Sequence, residues 1–246
     1  MSVRVGCCGF PKARAEYYCT FEAVEVQRTF YRPPKLDTVR RWRAEAPEGF
    51  AFAIKAWQRI THPGRSPTYR RDPLPEHVRR EVGFFRPTEA VRQAWEVTRA
   101  VAEALEASWI IFQCPASFRP TSENLAHLRD FFHSVERGPW RFGWEPRGDW
   151  PAETVRELCR ELDLVHVVDP FTQPAQWGCP VYWRLHGRGG YAYRYTEADL
   201  AQLSAWAQGL DEVWVMFNNV SMWEDALRFR QRLSTASLEA NGIMKS

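Results

Sequence analysis

Short apolar runs recur along the chain, separated by longer segments in which apolar residues return every three or four positions. The runs are VRVGCCGF (3–10), AVEVQRTFY (23–31), FAFAIKAW (50–57), SWIIFQCP (108–115), RFGWEPR (141–147), LVHVVD (164–169), VYWRLHGR (181–188) and EVWVMFNN (212–219). Their length and their β-branched and aromatic content predict strands. Between them, 36–46 carries Leu36, Val39 and Trp42 on one face, and 87–107 carries Val91, Trp95, Val101 and Leu105. That spacing predicts helices, as it does over 122–135, 153–162, 196–209 and 224–233, with Ser122 and Thr196 as caps. Strand and helix in alternation imply a parallel sheet. Eight such units in 246 residues fit one compact α/β domain, a closed (β/α)8 barrel of the triosephosphate isomerase type. An open doubly wound sheet would need a Gly-rich phosphate turn after an early strand, and GCCGF does not match GxGxxG.

The pattern has three irregularities. Only 11–21 is available for a helix after the first strand, so the first unit is irregular. Residues 58–86 form a long excursion rich in Pro and Arg, expected to lie over the barrel mouth. After Leu233 the periodicity fades, which predicts a folded domain over 1–233 and a disordered tail over 234–246.

A closed barrel gathers the carboxyl ends of its strands at one face, so polar residues there converge from distant parts of the sequence. Strand two supplies Glu25, Gln27, Thr29 and Tyr31, strand three Lys55, and strand four Gln113. Strand five supplies Glu145 and Arg147, strand six Asp169, strand seven Arg184, His186 and Arg188, and strand eight Asn218 and Asn219. Strand alternation puts Arg184, His186 and Arg188 on one face of VYWRLHGR, with Trp183, Leu185 and Gly187 on the other. Any one of these also has a plain structural reading, since a barrel must fill its interior and Glu25 with Arg184 reads equally well as a structural ion pair. Convergence of the whole set points to a site.

VEVQRTFYRPP, FAFAIKA followed by ITHP, FRPT, FGWEPR with Trp150, YWRLHGRGGY and VMFNNVSMWEDA form an ordered series. This series resembles the successive motifs of the YecE-like family, the domain-of-unknown-function family numbered seventy-two, over nearly the whole chain. The resemblance implies a triosephosphate isomerase-type barrel and brings no established activity. Its recurrent polar positions fall on Glu25, Thr29, Tyr31, Lys55, His62, Glu145, Arg147, Arg184, His186, Arg188, Asn218 and Asn219. The first segment, GCCGFPKARAEYYCTF, is shorter than the Trp- and Gly-rich one many members carry, so no first-loop ligand contact is carried over.

Composition narrows the chemistry only slightly. A hydrophobic content of 45% and a charged content of 26% describe an ordinary globule. No run approaches a membrane span and no signal pattern precedes the first strand, so a cytoplasmic protein without membrane partners is expected. Six cysteines without a CxxC pair read as thiols, not as a zinc site or a disulfide framework. A net charge of +3 does not argue for nucleic acid by itself, but nearly all basic residues are Arg, with Lys only at Lys12, Lys35, Lys55 and Lys245. Guanidinium forks suit phosphate and carboxylate.

Three functions follow as expectations. The first is an electropositive mouth that binds a phosphate-bearing ligand, a nucleotide or nucleic acid. Its binding residues would be Arg184, Arg188, Lys55, Arg147, Asn218, Asn219, Tyr31, His62 and Tyr193, with aromatic faces for stacking. If the ligand is hydrolysed, in a phosphodiesterase- or nuclease-like reaction, Glu145, His186, Asp169 and Glu25 are the acid–base candidates, with a divalent cation as an option. The second is glycoside hydrolysis or sugar binding through Glu145 and Asp169. The third is non-catalytic binding of an anionic metabolite or a partner chain. No GxSxG elbow, phosphate loop or flavin fingerprint occurs.

Overall fold

The computed structural model describes residues 2–240. Eight parallel strands close on themselves in sequence order: β1 Ser2–Cys8, β2 Ala23–Val26, β3 Ala51–Lys55, β4 Trp109–Gln113, β5 Arg141–Glu145, β6 Val165–Val168, β7 Val181–Leu185 and β8 Glu212–Phe217. Around them run α1 Arg14–Thr20, α2 Arg28–Tyr31, α3 Leu36–Glu45, α4 Gln58–Thr61, α5 Glu76–Arg79, α6 Glu89–Ala104, α7 Ser122–Ser134, α8 Ala152–Glu161, α9 Glu197–Gln208 and α10 Met222–Ala240. The barrel expected from the alternating pattern is the barrel observed. No helix of the described residues is long and apolar enough to cross a membrane.

Period-two alternation divides the strand residues between two cores. Outward side chains such as Phe52, Ile110, Phe112, Phe142, Trp144 and Leu185 pack beneath the helices. Inward ones, Ala23, Ala51, Ala53, Trp109, Ile111, Val167, Tyr182, Trp214 and Met216, fill the lower barrel. Tyr182 stacks on Trp214 with ring centroids 5.8 Å apart, and Trp109 packs edge-on against Tyr182 at 5.0 Å. Three large rings in one small barrel need small residues opposite, which the alanines and Gly143 supply. A Cβ on Gly143 would stand 2.6 Å from a Val167 methyl and 2.7 Å from Ile111. Above this apolar plug the inward residues turn polar, and the site begins there.

Several elements differ from the pattern. The first unit does contain a helix, the seven-residue α1, held by the Tyr17 hydroxyl, which accepts from Cys7 N at 2.7 Å and donates to the Ala23 carbonyl at 2.8 Å. Strand β2 stops at Val26, not near Tyr31. The chain turns into α2, and Thr29 Oγ1 ties Val26 O at 2.9 Å to Lys55 O at 2.8 Å. The cap of α7 is Thr121, one residue earlier than expected. Helix α10 runs seven residues past Leu233, so residues 234–240 are helical where a disordered tail was expected, and 241–246 lie outside the described residues.

The excursion over 58–86 folds into α4, a 3-10 turn at Pro67–Arg71 and α5 around a small core of Tyr69, Leu74 and Val82. Its return is pinned where Gly83 N donates to the Arg59 carbonyl at 2.7 Å, with Gly83 at φ 86°. A Cβ there would collide with the backbone of His62. Gly83→Ala is therefore expected to cost roughly 1–2 kcal/mol, through a disfavoured φ and a displaced His62. A lower urea midpoint checks this, and an unchanged midpoint would contradict it.

Candidate functional site

Arg184 is the hub of the polar layer. It is fully buried at the inward position of β7. Its Nε donates to Glu25 Oε2 at 3.0 Å and its Nη2 to Glu25 Oε1 at 2.9 Å, a bidentate pair across the barrel. Its Nη1 donates to Gln113 Oε1 at 2.9 Å and also to Glu145 Oε2. Glu25 accepts further from the Tyr182 hydroxyl at 2.9 Å and from the Gln27 amide. Burial alone would lower the pKa of this guanidinium, but two carboxylates outweigh it and hold it well above its ordinary value. Glu145 mirrors it: burial raises its pKa, while Arg184, His186 and Arg147 carry it well below the usual carboxylate range.

Glu145 hands this network on to the mouth. Its Oε1 accepts from Arg147 Nε at 3.1 Å and lies 3.1 Å from His186 Nε2. The same Nε2 lies 3.1 Å from Arg147 Nη2, and Nδ1 lies 3.0 Å from the Asn218 amide nitrogen. Both imidazole nitrogens are thus oriented, and Tyr191 covers the ring edge-on at 5.8 Å.

Lys55 sits at the end of β3, only 5% exposed. Its Nζ donates to Gln113 Oε1 at 2.9 Å, the same oxygen that Arg184 uses, and lies 3.8 Å from the centre of the Phe30 ring. Burial, and then the neighbouring Arg184, push its pKa down to about 7 against the pull of Glu25 and Glu145. Burial, Lys55 and Arg147 push His62 down to about 3, so its ring is neutral; Nδ1 meets Thr61 Oγ1 at 2.8 Å. A cavity of about 590 Å³ opens above these groups, walled by Lys55, Gln113 and Arg147 with Asn218, Gln27 and Phe30, and by Tyr31, His62, Ser66, Thr68 and Tyr191 on the rim and excursion side. The excursion therefore does cover the mouth.

Four of the expected residues join neither the polar layer nor the cavity, and Arg184, Glu145 and His186 stand in the layer behind the cavity wall. Gly187, at φ 88°, ends the alternation of β7, so Arg188 does not share a face with Arg184. Its half-exposed guanidinium pairs with Asp199 of α9 at 2.7 Å, over the Phe171 ring. Tyr193 donates to the same Asp199 at 2.6 Å. Asn219 is bound to Asp225 at 2.7 Å and to the Tyr193 carbonyl at 2.8 Å. Asp169 accepts from the backbone amides of Phe171 at 3.0 Å and His186 at 2.9 Å, so both carboxylate oxygens are occupied in fixing the β6–β7 connection. Burial raises its pKa and those amides oppose the rise. Glu25 is in the layer but sealed beneath Arg184, away from the cavity wall. Among the described residues no three His, Cys, Asp or Glu side chains are arranged to hold a metal ion. The carboxylates that would serve are already taken by Arg184 and by backbone amides.

The cavity also uses residues outside the expected set. Gln27 and Gln113 are strand-end polar positions named above, and Tyr191 follows the turn at Gly189 and Gly190. Ser66 and Thr68 come from the excursion, where periodicity gives no sign of side-chain direction.

Residues 11–244 match the family described as protein of unknown function DUF72. UPF0759 protein YunF of Bacillus subtilis (strain 168) is 24% identical over 261 residues, spanning 92% of this chain and 87% of that protein. The crystal structure of a DUF72 family protein from Enterococcus faecalis V583 is similar at a TM-score of 0.73 and 22% identity, over 94% of this chain and 95% of that one. Another, from Thermotoga maritima MSB8, is similar at 0.68 and 22%, over 95% and 100%. The motif series, the closed barrel and a match that spans nearly all of the sequence agree, and the chain belongs to the DUF72 family.

Proposed function

We propose that the barrel mouth binds a small phosphate-bearing ligand of about nucleotide size, with Lys55 and Arg147 as partners of the anion. One observation carries this reading: the two cavity-wall side chains that can carry charge near neutrality, Lys55 and Arg147, are basic, while Glu25 and Glu145 lie behind them, engaged by Arg184 and, for Glu145, by Arg147 as well. A guanidinium beside an amine with a pKa of about 7 favours an anion, whose charge in turn favours the ammonium. Gln27, Gln113, Asn218, Ser66 and Thr68 add neutral hydrogen-bonding groups, and Tyr31, Phe30 and Tyr191 offer ring faces to the rest of the ligand. The volume suits one nucleotide or one strand end, not a duplex. For hydrolysis, the proton carrier would be His186, held by Glu145. A ligand hydroxyl or water that displaces the Asn218 amide from Nδ1 would meet an imidazole held from behind by Glu145 and Arg147.

Thermal unfolding against inorganic phosphate, nucleoside monophosphates, sugar phosphates and uncharged sugars tests the reading. A ligand at a hundred times its Kd adds about 2.7 kcal/mol, a rise of roughly 5–10 °C for a domain of this size. Arg147→Gln is expected to weaken the phosphate ligand roughly tenfold or more, the worth of one charge-assisted hydrogen bond. Arg188→Gln, outside the cavity, is expected to change affinity by less than about twofold. A rise with uncharged sugars and none with phosphates would remove the proposal.

A further inference from the structure

Lys55 has features that anion binding alone does not require. Only four of the 33 basic residues are lysine, at 12, 35, 55 and 245, and one of them occupies an inward barrel position beside the cavity. An arginine there would serve an anion as well or better, and only an amine can lose its proton near neutrality and bond to carbon. Lys55 forms no ion pair among the described residues, because Glu25 and Glu145 are engaged by Arg184. One amine hydrogen is taken by Gln113 Oε1, which has no proton to donate to the lone pair, and Phe30 covers another side. Lys55 is at the same time one of the residues that line the cavity.

We propose that Lys55 is a carbonyl-condensing lysine, whose amine forms an imine with an aldehyde or ketone carbon of a phosphate-bearing ligand held in the mouth. The ligand's anionic group rests on the binding reading above; the covalent step is additional to it. The nitrogen lone pair attacks the carbonyl carbon, the nitrogen loses a proton and the oxygen gains one, giving a carbinolamine. Departure of that oxygen as water, with a second proton, leaves the C=N bond. One water is released, and no oxidant or reductant is needed. The amine must be unprotonated to attack, which its surroundings favour: burial and the Arg184 guanidinium bring its pKa down to about 7. The Phe30 ring face favours the ammonium, as do Glu25 and Glu145, and Arg147, His62 and the buried Cys8 are the other titratable or charged groups around it. Across the cavity, Arg147 holds the anion, backed by Glu145 and His186.

Borohydride trapping tests the step. The protein is incubated with glyceraldehyde 3-phosphate or dihydroxyacetone phosphate, reduced with sodium borohydride and mapped by peptide mass. The expected result is one reduced adduct per chain, on Lys55, with a yield that falls as pH drops below about 7. Lys55→Arg is expected to abolish the adduct, with circular dichroism reporting that the barrel is intact. Thermal unfolding with glycerol 3-phosphate, which has no carbonyl, reports anion binding separately. Stabilisation by glycerol 3-phosphate without an adduct on Lys55 would overturn the imine and leave the binding reading standing. An adduct on Lys55 from phosphate-free glyceraldehyde, with no stabilisation by any phosphate, would uphold the imine and remove the anion. Labelling spread equally over Lys12, Lys35 and Lys55, or no labelling under any condition, would overturn the proposal.

Discussion

Arg184→Met is expected to cost about 3–5 kcal/mol of folding stability, the range seen when one partner of a buried ion network is removed. Among the described residues the guanidinium is the only group that hydrogen-bonds to Glu25 and Glu145 together, through a bidentate pair at 2.9 and 3.0 Å on one side and Nη1 on the other. Without it Glu25 keeps the Tyr182 hydroxyl and the Gln27 amide, and Glu145 keeps Arg147 and His186, so the damage falls mainly on Glu25, which has no remaining cation. A buried carboxylate without a cation is costly. Adding Glu25→Gln to the variant should therefore recover part of the loss. Urea denaturation of the single and double variants measures both effects. A loss under about 1 kcal/mol, or no recovery on adding Glu25→Gln, would mean that water or a shifted side chain replaces the guanidinium.

What the sequence discloses and what it conceals follow from how far a periodic pattern reaches. Within a strand, alternation assigns a face, and Arg184, Glu25, Lys55 and Glu145 stand where alternation puts them, on the inward side of four strands. Past the last ladder bond alternation says nothing. Arg188 follows Leu185 by three residues and Gly187 redirects the chain, so its side chain joins α9 and not the mouth. Tyr193, Asn219 and Asp169 show the same limit, each bound within a loop junction. Charge has a related limit. Composition counts arginines and cannot see that Arg184 is matched by two carboxylates, so the electropositive wall reduces to Lys55 and Arg147. The walls contributed by Ser66 and Thr68 depend on how the excursion packs on Tyr69, Leu74 and Val82, a tertiary outcome that local pattern does not encode.

Raising the pH from 7 to 9 is expected to stabilise the protein by roughly 2–3 kcal/mol through Lys55 alone. Its pKa falls from an ordinary 10.5 to about 7 in the folded chain, so between those values the unfolded chain binds a proton that the folded chain does not. Unfolding stability then rises with pH, by at most about 1.4 kcal/mol per unit for one group. The full contribution is present above the unfolded value and is lost as pH falls through the folded one. From about pH 8 upward the buried thiols work in the opposite sense. Burial lifts Cys7 and Cys159 to about 12 and carries Cys8 and Cys114 upward from 9.0, so their contribution is lost as the unfolded thiols ionise around 9.0. The wild type and Lys55→Met share these thiols, so the difference between the two isolates Lys55. Below pH 7 His62, lowered from 6.5 to about 3, continues the decline in stability on acidification. Urea midpoints at pH 7 and 9, for the wild type and Lys55→Met, decide the matter. The wild type should gain more than the variant by roughly 2–3 kcal/mol, while His62→Gln should keep the gain. An equal gain in Lys55→Met would assign the slope to other groups and leave Lys55 an ordinary ammonium. If the gain belongs to Lys55, the proton whose loss stabilises the barrel is the same one that must leave before the amine can attack a carbonyl. The stability midpoint and the onset of borohydride trapping must then fall at the same pH.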